Sequence, residues 1–155
     1  MKSLIEATAA SGADGIKFQV LLDIQSFLSS QHSGFNTINQ WKFSEQQWLS
    51  FSEMAAKNNL DIIWMPLDEQ AVSLASSIRG LVKYIEVHSV SFYDEALHNA
   101  VKKTGVPVIL GVGGRTFEEI NWAKNFYGEQ LKVLMTGFQA FPSAIEDVRL
   151  QRIPV

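Results

Sequence analysis

Five strand-like runs, each leading into a helix start signal, recur along this chain at residues 15–21, 61–67, 84–90, 106–114 and 132–140. A βα unit repeated this often predicts an α/β fold built on a parallel sheet. The last four runs begin at residues 61, 84, 106 and 132, a spacing of roughly 22 to 26 residues that suits one strand, one helix and two short loops. Parallel sheets place ligand chemistry where strands end and helices begin, so the candidate site is expected there.

Local signals mark where the helices start. Ser44 with Gln47, Ser91 with Asp94 and Thr116 with Glu119 each pair a capping residue with a polar partner three residues on, and Asp68 is a further candidate cap. Apolar residues then recur at helical spacing, as in Trp48, Phe51, Met54 and Ala55, or Ala96, Leu97, Ala100 and Val101. Breaks are expected at Asn58-Asn59, Gly105 and Gly128. The irregular piece is the long connection 22–43, in which residues 23–28 fit a short helical turn.

The 155 residues, 46% hydrophobic and 19% charged, read as one globular domain. A barrel of eight βα units needs roughly 250 residues, so five units imply a partial barrel or an open sheet with two edges. Zero cysteines exclude disulfides, thiolate metal sites and a cysteine nucleophile. A net charge of −3 with scattered Lys and Arg argues against nucleic acid or an anionic membrane as partner. No apolar run is long enough to span a bilayer and no signal peptide opens the chain, which sets a cytoplasmic expectation.

Three segments, in order, resemble the sialic acid synthase (N-acetylneuraminate synthase) family. The first, Ser11-Gly12-Ala13-Asp14-Gly15-Ile16-Lys17-Phe18-Gln19, is similar to that family's "AGAD-x-x-KFQ" strand. The second runs from Trp48 to Asp68 and includes Met65-Pro66-Leu67-Asp68 where the family has a "P-F-D" ending. The third runs from Thr104 through Thr116-Phe117-Glu118-Glu119-Ile120 to Phe141-Pro142-Ser143 and Leu150, resembling a pattern that ends "YP-[TS]-P-x-x-D-x-x-L".

The resemblance implies strands two to six of an eight-stranded TIM-type barrel, and a reaction that condenses phosphoenolpyruvate with an N-acylmannosamine-type sugar to give a nine-carbon sugar acid. It implies a divalent metal, manganese or magnesium, whose two histidine ligands would lie beyond Val155. His32, His88 and His98 do not stand at those positions. The family's first strand would precede Met1, and its C-terminal antifreeze-like domain has no counterpart here. The implied partner is a small sugar or phosphoenolpyruvate-type substrate, and a homodimer is left open.

Carried over residue by residue, the resemblance assigns substrate contacts to Lys17, Gln19, Ser89 and Gln139. Lys17 and Gln19 share one face of the first strand, opposite Ile16, Phe18 and Val20. Lys17 either holds a substrate anion or pairs with a local carboxylate. Three family positions are altered: a substrate-gripping lysine is Glu86, a threonine before Pro66 is Met65, and the serine of "S-T-G-M" is Gly111. Glu86 would lie in the same inward layer as Lys17 and neutralise it, repelling a trianion. These changes point to an impaired or inactive enzyme, or to a non-catalytic scaffold that binds carbohydrate or assembles with partners.

Other positions have plainer readings. Gly111, Gly113 and Gly114 ahead of the Thr116 helix offer a weak anion-cradling pattern. His88 is expected beside Glu86, as a proton carrier or hydrogen-bonded to its carboxylate. Trp41, Trp48, Trp64 and Trp122 are expected as core or loop anchors, and Glu118, Glu119, Glu146 and Asp147 on solvated helix faces.

Overall fold

The computed structural model describes residues 1–137. Among these residues, seven α-helices and five strands follow in order, besides two 3-10 turns at Ser89–Ser91 and Gly128–Gln130: α1 (Lys2–Ala10), β1 (Gly15–Val20), α2 (Ile24–Phe27), α3 (Phe35–Trp41), α4 (Glu45–Lys57), β2 (Asp61–Pro66), α5 (Glu69–Ser77), β3 (Val82–Val87), α6 (Glu95–Thr104), β4 (Val108–Gly111), α7 (Phe117–Tyr127) and β5 (Leu131–Met135). The strands form one parallel sheet in the order β1-β2-β3-β4-β5. Strand order thus follows chain order without reversal. A doubly wound sheet would reverse at a switch point, whereas sequential right-handed crossovers put every helix on one side, as in a barrel.

Alternation along each strand decides which residues face the helices. Phe18 and Val20 of β1, Ile62 and Trp64 of β2, Ile85 and Val87 of β3, and Val108 and Leu110 of β4 are all buried in one apolar cluster. Trp48, Phe51 and Ala55 of α4, Ala71, Leu74 and Ala75 of α5, and Leu97 and Val101 of α6 complete that cluster. Burying a side chain the size of Trp64 contributes about 3 kcal/mol, so this layer holds the sheet and helices together. Lys17, Gln19, Ile63, Met65, Tyr84, Glu86, Ile109 and Gly111 take the opposite face by the same alternation.

Two of the expected helix starts are complete capping boxes, Ser44 with Gln47 and Thr116 with Glu119. Asp68 caps α5 by accepting from Ala71 N–H at 2.8 Å. The third start differs from expectation. Asp94, not Ser91, caps α6 by accepting from Leu97 N–H, because residues 89–91 form a 3-10 turn that ends the third strand at Val87 rather than residue 90. Gly105 terminates α6 in the left-handed region at φ +69°, and Asn59 takes φ +59° in the turn into β2.

The connection 22–43 contains α2, capped by Asp23 and matching the expected turn, and also α3, which has no side-chain cap. Ile24 of this connection forms a second small apolar cluster with Leu21 and Leu67 at the exits of β1 and β2, with Phe27, Leu28, Phe35 and Ile38 packed on it. Of the four tryptophans, Trp48 and Trp64 are core residues as expected, but Trp41 and Trp122 are exposed. No helix among the described residues is long and apolar enough to cross a membrane.

Candidate functional site

The concave face of the sheet carries Lys17, Gln19, Met65, Glu86 and Gly111 of the sequence-derived candidates. Lys17 Nζ donates to Glu86 Oε1 at 3.1 Å, crossing over β2 to join β1 and β3. Along the ladder Lys17 is level with Ile63 and Tyr84, so Glu86 lies two residues further on. That offset over two strands equals the stagger of roughly one residue per strand in an eight-stranded barrel. The two residues are therefore neighbours in one barrel layer, as the sequence implied.

The environment of this pair is asymmetric. Glu86 is 2% exposed, while Lys17 retains 43% of its side-chain surface. Glu86 stands beside Ile109 on β4, and Met65, 4% exposed, stands beside Gln19 on β1. A carboxylate this buried next to apolar side chains needs a cation, and Lys17 supplies it. Lys17 is thus already occupied.

The strand ends are tied together by backbone contacts. Asp68 bridges two segments, accepting from Ala71 N–H through Oδ1 and from Leu22 N–H through Oδ2 at 2.7 Å. Lys42 Nζ holds the carbonyl of the same Leu22 at 3.0 Å, which closes the long connection over β1. Gly111 at the end of β4 lies against the turn after β3: a Cβ there would stand 2.7 Å from Ser89 N. Ser89 is half-buried in that turn.

His88 does not join the Lys17–Glu86 pair. Its Nδ1 accepts from Val90 N–H at 3.3 Å and caps the 3-10 turn, so the expected bond to Glu86 is replaced by a local one. The glycine loop offers little to an anion, because the Thr116–Glu119 box occupies N–H groups at the start of α7 and Glu118 and Glu119 add negative charge there. Gln139 and the segment around Phe141–Pro142 lie outside the described residues.

A metal set is not assembled here. Among the described residues no three His, Asp or Glu side chains converge as ligands. His32 Nδ1 accepts from Gly34 N–H, His88 is committed to its turn, and both His98 ring nitrogens are engaged with Tyr127 Oη and the Phe92 carbonyl. These donors do not fit the metal that the family resemblance implies.

The His98 cluster was not legible as a unit in the sequence. His98 on α6 is 1% exposed, packed among Phe92, Trp122, Phe126 and Tyr127. Burial pulls its pKa below the ordinary 6.5 and pushes the Tyr127 phenol upward. The unfolded chain therefore binds a proton that the folded chain resists, and stability falls as pH drops from 6.5 toward the lowered folded value. Denaturation midpoints measured between pH 7.5 and 5 are expected to decline, with the decline flattened in His98→Phe. Identical pH profiles for the two chains would contradict this.

A model of the NeuB family matches residues 4–155. The chain belongs to that family. Solved structures show the corresponding fold. A sialic acid synthetase from Leptospira borgpetersenii, crystallised with citrate, superposes with a TM-score of 0.83 at 20% identity, covering 96% of this chain and 52% of that one. A putative spore coat polysaccharide biosynthesis protein E from Chromobacterium violaceum gives 0.81 at 22%, covering 97% and 48%. A truncated 3-deoxy-D-arabino-heptulosonate 7-phosphate synthase from Thermotoga maritima gives 0.62 at 14%, covering 92% and 48%. Among curated proteins, none matches the chain. This NeuB-family chain thus spans about half the length of the solved structures it resembles, and its described residues form a partial TIM-type barrel of five parallel strands with alternating helices.

Proposed function

We propose that this chain is a non-catalytic form of the NeuB barrel, a binding or assembly scaffold whose strand ends do not grip phosphoenolpyruvate. One observation supports this above the rest: the retained lysine, Lys17, is paired at 3.1 Å with the buried carboxylate that replaces the family's second lysine. A trianion approaching Lys17 meets Glu86 as well, and the net field there is close to zero. Met65 and Gly111 add no hydroxyl donors in compensation. Retention of Lys17, Gln19 and Ser89 favours a second reading, in which the condensation typical of the resemblance is completed by strands and metal ligands outside this segment.

Calorimetric titration separates the two readings. The chain is expected to give no heat with millimolar phosphoenolpyruvate. Glu86→Gln should lose about 1 kcal/mol of stability, since Lys17 is half exposed, and should gain phosphoenolpyruvate affinity on the order of 1–10 mM. Measurable binding by the unaltered chain, or phosphate release with N-acetylmannosamine and manganese, would overturn the scaffold reading.

A further inference from the structure

On the helical side of the sheet, away from the Lys17–Glu86 pair, a cleft of about 710 Å³ opens between α6 and α7. Its walls are aromatic, from Phe92, Tyr93, Trp122 and Phe126, and its rim carries the exposed carboxylates of Glu95 and Glu118. Trp122 stacks on Phe126 with the rings 20° apart and meets the edge of His98 at 5.4 Å, so its ring is held in place before any ligand arrives.

The rings of this cleft already attract cations from the protein itself. The Arg115 guanidinium lies 4.5 Å from the centre of Tyr93 and 5.2 Å from Phe92, and Lys102 Nζ lies 5.9 Å from Phe126. Trp122 is the exception. Among the described residues no side-chain cation sits over it, although indole is the strongest such partner and Trp122 is 45% exposed. His98 borders the cleft with both nitrogens in hydrogen bonds and its charged form disfavoured by burial, so it adds no opposing charge at neutral pH. A third carboxylate, Glu119, is bonded to Tyr93 and to Thr116 N–H, and keeps its negative charge beside the same opening.

We propose that this cleft binds a small organic cation of the quaternary ammonium class, with its methyl groups against Trp122 and its charge facing Glu95 and Glu118. A compact alkylated cation satisfies both halves of the surface at once: its carbon shell buries apolar area on the rings, and its charge answers the two carboxylates. An anionic ligand would face Glu95 and Glu118 at the rim, while Arg115 and Lys102 are already seated on Tyr93, Phe92 and Phe126. A neutral ligand of the same shape would keep the apolar contact and lose the electrostatic part. The inference does not depend on the scaffold reading, since the cleft and the concave face share no residue.

Choline and its uncharged carbon isostere, 3,3-dimethylbutanol, form the deciding pair of probes. Titrated at constant ionic strength and followed by the indole N–H signals, choline is expected to shift Trp122 selectively with millimolar affinity. The isostere should bind at least 10-fold more weakly. By calorimetry, Trp122→Ala should abolish choline binding, and Glu118→Gln should weaken it about 3- to 10-fold with only a small loss of melting temperature, as expected for one exposed charge in the first turn of α7. Equal binding of the two probes, no loss in Glu118→Gln, or no perturbation of Trp122 by choline would each overturn the proposal.

Discussion

Replacing Asp68 by alanine is expected to lower the stability of this chain by about 3 kcal/mol, far more than removal of an ordinary helix cap. Asp68 is 3% exposed and uses both carboxylate oxygens on backbone donors, Ala71 N–H at the start of α5 and Leu22 N–H at the exit from β1. Alanine would leave both N–H groups without these acceptors, and hydrogen bonds to an ionised group contribute about 1.5–3 kcal/mol each in such settings. Asp68→Asn keeps one oxygen acceptor and should fall between the two. Asp94→Ala, at an exposed cap with a single bond to Leu97 N–H, is expected to cost only about 1 kcal/mol. Urea denaturation of the three variants orders them, and amide exchange at Leu22 should accelerate in Asp68→Ala alone. A loss for Asp68→Ala no larger than that for Asp94→Ala would refute the bridging role.

The contrast between these two aspartates also shows what the sequence could and could not reveal. Capping depends on residues three positions apart, so Ser44 with Gln47, Thr116 with Glu119 and the α5 half of Asp68 were readable from local spacing. The Leu22 half of Asp68 joins residues 46 positions apart and left no local trace. Strand alternation and the repeated βα pattern placed Lys17 and Glu86 in one layer, because barrel geometry converts a local period into a long-range contact. Where two local preferences compete, spacing alone does not decide: Ser91 has the spacing of a cap, but His88 closes a turn over residues 89–91 and hands the role to Asp94. Helix α3 begins at Gly34 with no capping side chain, so nothing in the sequence announced it. The His98 cleft combines the turn after β3 with α6 and α7, and its aromatic residues looked like ordinary core spacing until those segments were brought together.

Gly111→Ser, which restores the residue type of the resembled family, is expected to destabilise the chain by about 2–3 kcal/mol rather than to rescue substrate binding. A Cβ at position 111 would stand 2.7 Å from Ser89 N, 3.3 Å from Ser89 Cα and 3.4 Å from His88 C. All three are backbone atoms, so no side-chain rotation relieves the overlap, and the turn after β3 must move as a body. That turn is fixed by His88 accepting from Val90 N–H and by Ser91 N–H donating to the His88 carbonyl. Gly111 is therefore linked to the shape of this turn as much as to any lost hydroxyl. The effect should appear in full with Gly111→Ala, which adds the Cβ without the oxygen, and thermal melting of both variants should give the same loss within error. If Gly111→Ser melts like the unaltered chain while Gly111→Ala does not, the hydroxyl finds a partner at this strand end and position 111 belongs to a binding site. If both fall together, the end of β4 has been rebuilt around the glycine. Changing Glu86 alone would then be the more direct way to free Lys17 for an anion.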